Sequence, residues 1–149
     1  LQTKQKLEKM VSDENLKDWK PLEKKENYQT YVMQDSLGNL YSRGDCQIQR
    51  NRKQIEEFLK NMNLRNKYDE MFKELKTLKE YPEQELELAY CRFKAQWPVD
   101  DRDFVLAQGY VRENETTYVV ATSVDYKDPN IPVDKKTVRG VLMAGGWIL

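Results

Sequence analysis

A chain of 149 residues with 25 Lys+Arg against 25 Asp+Glu carries no formal net charge, which excludes the basic field of a general nucleic-acid binder. Hydrophobic residues make up 39% and charged ones 34%, the mixture of one folded globular unit, and no apolar run approaches the roughly 20 residues of a membrane-spanning helix. Histidine is absent and Cys46 and Cys91 stand far apart, so neither a His-based nucleophilic triad nor an ordinary structural zinc site can be assembled.

Residues 3–18 space Leu7, Met10, Val11 and Leu16 as the apolar stripe of an amphipathic helix, and the segment lacks the apolar core of a signal peptide. From Trp19 the period changes. Residues 27–34 alternate Tyr and Val, Ser36-Leu37-Gly38-Asn39 is a turn cluster, and residues 40–48 return as the second strand of a hairpin. Ile55, Phe58, Leu59 and Met62 form one face of a helix over residues 49–62. A second helix is predicted over 65–81, stopped by Pro82, which disfavours helical geometry in the residue before it. Four strands follow, over 85–95, 103–112, 117–124 and 137–149. No repeat or low-complexity linker divides the chain, so residues 1–149 read as a single domain. The two cysteines read as buried free thiols in a reducing compartment, with a single disulfide as the other reading.

The residues that usually carry chemistry have plainer roles here. Asp100, Asp101 and Asp103 alternate around a turn and a strand start, where solvation and capping account for them. Gly140 and Gly145-Gly146 fall inside a strand pattern, where glycine marks a bulge or bend rather than a phosphate loop. No catalytic residue, metal or cofactor is predicted. Strand alternation sets Leu88, Tyr90, Arg92 and Lys94 on one face and the uncharged Ala89, Cys91, Phe93 and Ala95 on the other. In the later strands Phe104, Leu106 and Gln108 share a face, as do Arg139, Val141 and Met143. Such faces suit an ordinary filled core or the wall of a hollow. The small side chains of Ala89, Cys91 and Ala95 leave volume that a filled core must recover elsewhere.

The stretch Trp97-Pro98-Val99-Asp100-Asp101-Arg102-Asp103-Phe104-Val105 adds a different kind of information. With Trp19, residues 64–69 and 71–75 before it, and Ser123-Val124, Pro132, Val138-Arg139 and residues 146–149 after it, the chain resembles the steroidogenic-acute-regulatory-protein-related lipid transfer (START) domain family along nearly its whole length. The resemblance implies an α+β helix-grip fold of the START/Bet v 1-like kind, a curved antiparallel sheet with helices. It also implies that residues 1–149 are the N-terminal two-thirds of the domain, without its last strands and long closing helix.

In that family the sheet and its covering helices enclose one lipid, which would place Ala89, Cys91, Phe93, Phe104, Leu106, Gln108, Val141 and Met143 against it. Arg65 matches a position that contacts the lipid phosphate in a phosphatidylcholine-carrying member, with Asp69 one turn later to orient it or to form a surface pair. The choline cage of that member maps onto Cys91, Phe93, Phe104 and Met143, only two of them aromatic, and the acid–arginine pair of sterol carriers maps onto Ala89 and Gln108. Neither headgroup signature is intact. Trp97, Pro98, Arg102, Asp103 and Arg139 read as structural signature: Arg102 tying the turn to a neighbour, Asp103 pointing away from the lipid, Arg139 pairing with an acid near the rim. Trp97-Pro98 reads as packed at its turn, with a rim or membrane contact as the second reading.

The resemblance therefore implies a non-enzymatic lipid carrier or sensor, cytoplasmic and peripheral at membranes, with a lipid ligand, a transient membrane surface, no nucleic-acid partner and a monomeric state. The alternative is an enzyme or enzyme-associated module of the same superfamily, polyketide cyclase-like or thioesterase-linked, which the lack of histidine disfavours.

Overall fold

A computed structural model of the protein describes residues 2–12 and 17–149, with the side chains of residues 62 and 63 left aside. The first helix, α1 (Gln2–Val11), buries Leu7 and Lys4 and packs against two later strands, Thr116–Ser123 and Gly145–Ile148. Leu16, assigned to the same helix from sequence, lies outside the described residues. Buried Trp19 donates its indole N–H to the Met10 carbonyl at 2.9 Å, which ties the end of α1 to the segment that follows.

A three-stranded antiparallel sheet comes next, β1 (Lys20–Lys24), β2 (Tyr28–Gln34) and β3 (Leu40–Cys46). Strand β1 has no sequence signature, because all five of its residues are exposed and a bulge between Pro21 and Glu23 breaks the alternation. The turn between β2 and β3 is organised by Asp35, whose carboxylate accepts from the Leu37 and Asn39 N–H groups, both at 2.9 Å.

Helix α2 (Arg52–Lys60) starts where its cap dictates. The Asn51 side chain accepts from the Gln54 N–H at 2.9 Å, and the Gln54 side chain accepts from the Asn51 N–H at 3.3 Å, a reciprocal capping box. A 3₁₀ turn (Met62–Lys67) leads on to β4 (Phe72–Tyr81).

The helix predicted over 65–81 is therefore wrong, and the reason is geometric. Phe72, Leu75, Leu78 and Tyr81 recur every three residues, which reads as a helical face. In the sheet they do not share a face, because β4 is bulged twice against β5 (Leu86–Phe93), between Phe72 and Glu74 and between Thr77 and Lys79. Phe72, Leu75, Thr77 and Glu80 lie on the side of Phe93, Cys91, Ala89 and Glu87, Leu78 falls in the second bulge, and Tyr81 pairs with Leu86 on the other side. Each bulge inserts one residue and shifts the inward phase by one.

The remaining strands are β5 (Leu86–Phe93), β6 (Asp101–Glu113), β7 (Thr116–Ser123), β8 (Thr137–Arg139) and β9 (Gly145–Ile148). They form a six-stranded sheet in the order β4-β5-β6-β7-β9, with β8 running parallel to the first residues of β6. The single strand predicted over 137–149 is thus two short ones on different neighbours. Strand β8 occupies the edge of β6 at residues 101–103, and β7 takes that edge from residue 106 onward. Gly146, the second residue of β9, has φ +152, and an added Cβ there would lie 1.9 Å from the Val119 carbonyl oxygen, so only glycine lets β9 approach β7 at that point.

Cross-strand register fixes two faces of the larger sheet. Leu88, Tyr90, Val105 and Gly146 belong to the face that α1 covers, where Lys4 pairs with Glu113 at 2.7 Å. Ala89, Cys91, Leu106, Val119 and Ala121, all buried, belong to the opposite face, against whose end α2 rests. Among the described residues the two sheets share no strand pair.

Candidate functional site

The α2-side face has a graded character along its strands. Its middle is apolar and small: Ala89 pairs with Leu106 and Cys91 with Phe104, and Leu75 and Thr77 of β4 lie beside Cys91 and Ala89. Burial pushes the Cys91 thiol up to about 11, which keeps it protonated and unreactive at neutral pH. Cys46 is free but exposed, so only one of the two thiols is buried.

One end of this floor is aromatic. Phe72, Phe93 and Phe104 stack edge to face, with centroids 5.9 and 5.8 Å apart in sequence. The Arg65 guanidinium lies over the Phe72 and Phe93 rings at 5.3 and 5.1 Å and is held by Asp69 at 3.2 Å. The Arg65–Asp69 spacing survives although the element is a 3₁₀ turn and loop instead of the predicted helix. Gly140 meets the cluster just past the end of β8, where an added Cβ would approach the Phe104 ring to 2.4 Å.

The other end is polar. Glu87 and Gln108 are cross-strand partners, and the Gln108 amide donates to Glu87 at 3.4 Å. Burial, and then the neighbouring Glu80 charge, raise the Glu87 carboxyl above its usual range. Tyr110 follows on the same face, its phenol pushed up to about 12 by burial, with the Lys60 ammonium 4.7 Å from its ring centroid. Beyond it Arg112 donates to Glu56 at 2.8 Å and also engages Glu85, while Thr117 donates to Glu56. Burial alone would raise the Glu56 carboxyl, but Thr117 and Arg112 outweigh it and hold the group low. These bonds clamp α2 to β6 and β7.

Two open depressions flank α2. One, of 840 Å³, is lined mostly by charged side chains, among them Arg52, Glu56, Lys60 and Arg112. The other, of 230 Å³, is bordered by Lys60, Glu80, Glu87 and Tyr110. Neither is lined by Cys91, Phe93 or Phe104.

Of the residues singled out from sequence, Ala89, Cys91, Phe93, Phe104, Leu106 and Gln108 come together on this face, and Arg65 overhangs its aromatic end. Val141 and Met143 do not join them: both are exposed in the loop between β8 and β9. Arg139 is on the other face, where its guanidinium donates to both carboxylate oxygens of Asp103, at 2.6 and 3.1 Å. Arg102 donates to the Asp100 carbonyl at 2.6 Å, a bond within its own turn. Trp97, ahead of the cis bond to Pro98, is not packed at its turn but stands in solvent.

Sequence reasoning missed Phe72, hidden in the false helical spacing, and Glu87, which shares the parity of Ala89 one step outside the stretch read as uncharged. Among the described residues no group of three or more His, Cys, Asp or Glu is placed to hold a metal, and no helix is long and apolar enough to cross a membrane.

The START domain family model matches residues 1–149. The chain belongs to the START domain family. Solved structures with the same fold include human StAR-related lipid transfer protein 5, with a TM-score of 0.79 at 19% identity over 97% of this chain and 69% of that one. A STAR-related lipid transfer protein from Xanthomonas axonopodis gives 0.71 at 21% identity, covering 88% of this chain and 72% of the other. Human STARD10 gives 0.75 at 15% identity over 98% of this chain, which spans 58% of that protein's chain. At these identities the structures establish the helix-grip-like α+β fold and nothing finer. No curated protein matches the sequence.

Proposed function

We propose that this START domain is a non-enzymatic carrier or sensor of one hydrophobic lipid, held against the α2-side face of the six-stranded sheet. The supporting observation is the floor itself. Between Phe93 and Glu87 the six residue steps of β5 extend about 20 Å. That length is paved by small or apolar side chains, with an arginine-topped aromatic cluster at one end and a neutralisable carboxyl at the other. Each methylene removed from water on such a floor contributes about 0.8 kcal/mol, and a bilayer offers the same gain. Extraction is then nearly neutral in transfer free energy, and selection falls to shape and to the polar ends.

Arg65 is the anchor for an anionic or phosphate-bearing headgroup at the aromatic end, because its guanidinium already overhangs Phe72 and Phe93. Residues 1–149 make up the N-terminal two-thirds of the domain on this reading, in keeping with the 58% to 72% of the related chains that they span. The domain acts as a cytoplasmic monomer in transient contact with membranes and has no nucleic-acid partner.

Native mass spectrometry of the protein purified without detergent is expected to show one lipid per protein molecule. Preparations that repeatedly carry none, and take up none when lipid is supplied in cyclodextrin, would contradict the proposal.

A further inference from the structure

The aromatic end of the α2-side face lies where β5 ends and β4, β6 and β8 begin, so the loops at that end of the sheet are neighbours. The parallel register Asp101↔Thr137 sets residues 133–136 alongside residues 97–100. Half-buried Arg92 fastens the two loops, pairing with Asp101 at 2.9 Å and with Asp134 at 3.0 Å. The Lys94 N–H donates to the Met71 carbonyl at 2.7 Å, which brings the start of β4 into the same group.

What these pinned loops present outward is apolar. Trp97 is 89% exposed and Val133 99%, with Val99 and Met71 also exposed. Around them stand the exposed ammonium groups of Lys94, Lys135 and Lys136. The acids Asp101 and Asp134 are compensated by Arg92 and by Lys73, leaving exposed Asp100 and Glu70 against the lysines.

We infer that this loop cluster docks on an anionic phospholipid membrane. The inference rests on the carrier reading and names the surface through which the carrier meets its lipid source. An indole on a loop tip suits the headgroup boundary, where its apolar body and polar N–H are both satisfied. Trp97 and Val99 share one loop, while Val133 and Met71 lie on two others, a form suited to insertion between headgroups. A lysine fringe complements anionic headgroups, each charge contributing about 1 kcal/mol, or about fivefold in binding. Docking by this end brings the Phe72–Phe93–Phe104 cluster and Arg65 nearest the bilayer, so a lipid leaving the membrane meets the aromatic end of the floor first.

The test is co-sedimentation of the purified chain with phosphatidylcholine vesicles prepared with and without phosphatidylserine. Binding that requires phosphatidylserine is expected, falling about tenfold with Trp97→Ala and at least as far with Lys135→Glu and Lys136→Glu combined. Blue-shifted tryptophan emission on vesicle binding, absent in the Trp97→Ala variant, is the second expected readout. Binding indifferent to Trp97 and to both lysines would overturn the inference, as would Trp97-dependent self-association without vesicle binding, which assigns the surface to a second copy of the chain. Lipid uptake from cyclodextrin, with no bilayer present, separates the two readings. Uptake without Trp97-dependent vesicle binding overturns docking alone, and vesicle binding without uptake supports docking while overturning the carrier reading.

Discussion

Gly140 and Glu87 show how single positions shape the α2-side face. Because an added Cβ at Gly140 would come within 2.4 Å of the Phe104 ring, Gly140→Ala must displace that ring or β8. It is expected to cost about 1–3 kcal/mol, as overpacking does, measured as a lower urea midpoint at unchanged slope. Glu87 sets a pH dependence with a definite sign. Its carboxyl is raised by burial and by Glu80, so between its ordinary range near 4.5 and its folded value the native state holds the proton that the unfolded state has released. Stability then falls as pH rises through that window. The groups facing it are Glu80 from β4, Gln108 and Tyr110 from β6, and Lys60 from α2. Glu87→Gln removes the ionisation and is expected to gain on the native protein as pH increases from 4 to 7. Urea midpoints that shift in parallel for both proteins would refute this. At this scale the sequence is informative wherever strand alternation holds without interruption. Parity alone unites Ala89, Cys91 and Phe93, and extended by one step it reaches Glu87. That Arg139 pairs with an acid is expected from the sequence, but that the acid is Asp103 is not legible from alternation, because it depends on a parallel partner strand 36 residues away.

Among the elements, α2 carries its own boundary in the sequence. The Asn51/Gln54 capping box defines its start, and Asn51→Ala is expected to destabilise the fold by about 1 kcal/mol in chemical denaturation, with Asn51→Asp retaining most of the stability. Strand β4 shows the opposite case. Its Phe72–Leu75 step comes from one bulge and Leu78 falls in a second, and a bulge is fixed by the partner strand, so no local pattern distinguishes this spacing from one turn of helix after another. Strand β1 lacks a pattern for a related reason: an exposed edge strand has no buried face to impose one. The split of residues 137–149 into β8 and β9 follows from the length of β6, whose edge serves two partners in succession.

For the whole molecule, zero net charge conceals an ordered distribution. Acids and bases pair across the end of the floor beside α2, at Glu56, Glu85, Lys60 and Arg112, while the aromatic end carries Arg65 and, beyond it, the lysine fringe of the loops. The family resemblance was legible from residues 97–105 and their ordered companions, and the model match over residues 1–149 agrees with it. The candidate face was legible in part: parity united Ala89, Cys91 and Phe93 and the resemblance supplied Arg65, Phe104 and Gln108, whereas Phe72 and Glu80 reach it through the bulged pairing of β4 with β5 that sequence does not display. The central claim is that a lipid lies along this floor. A phospholipid bearing a photoreactive acyl chain, loaded onto the protein and irradiated, tests it most directly when the adducts are mapped by mass spectrometry. Adducts are expected on β5 and β6 at Cys91, Phe93, Phe104 and Leu106. Adducts confined to the α1-side face or to the charged depressions beside α2 would contradict the account.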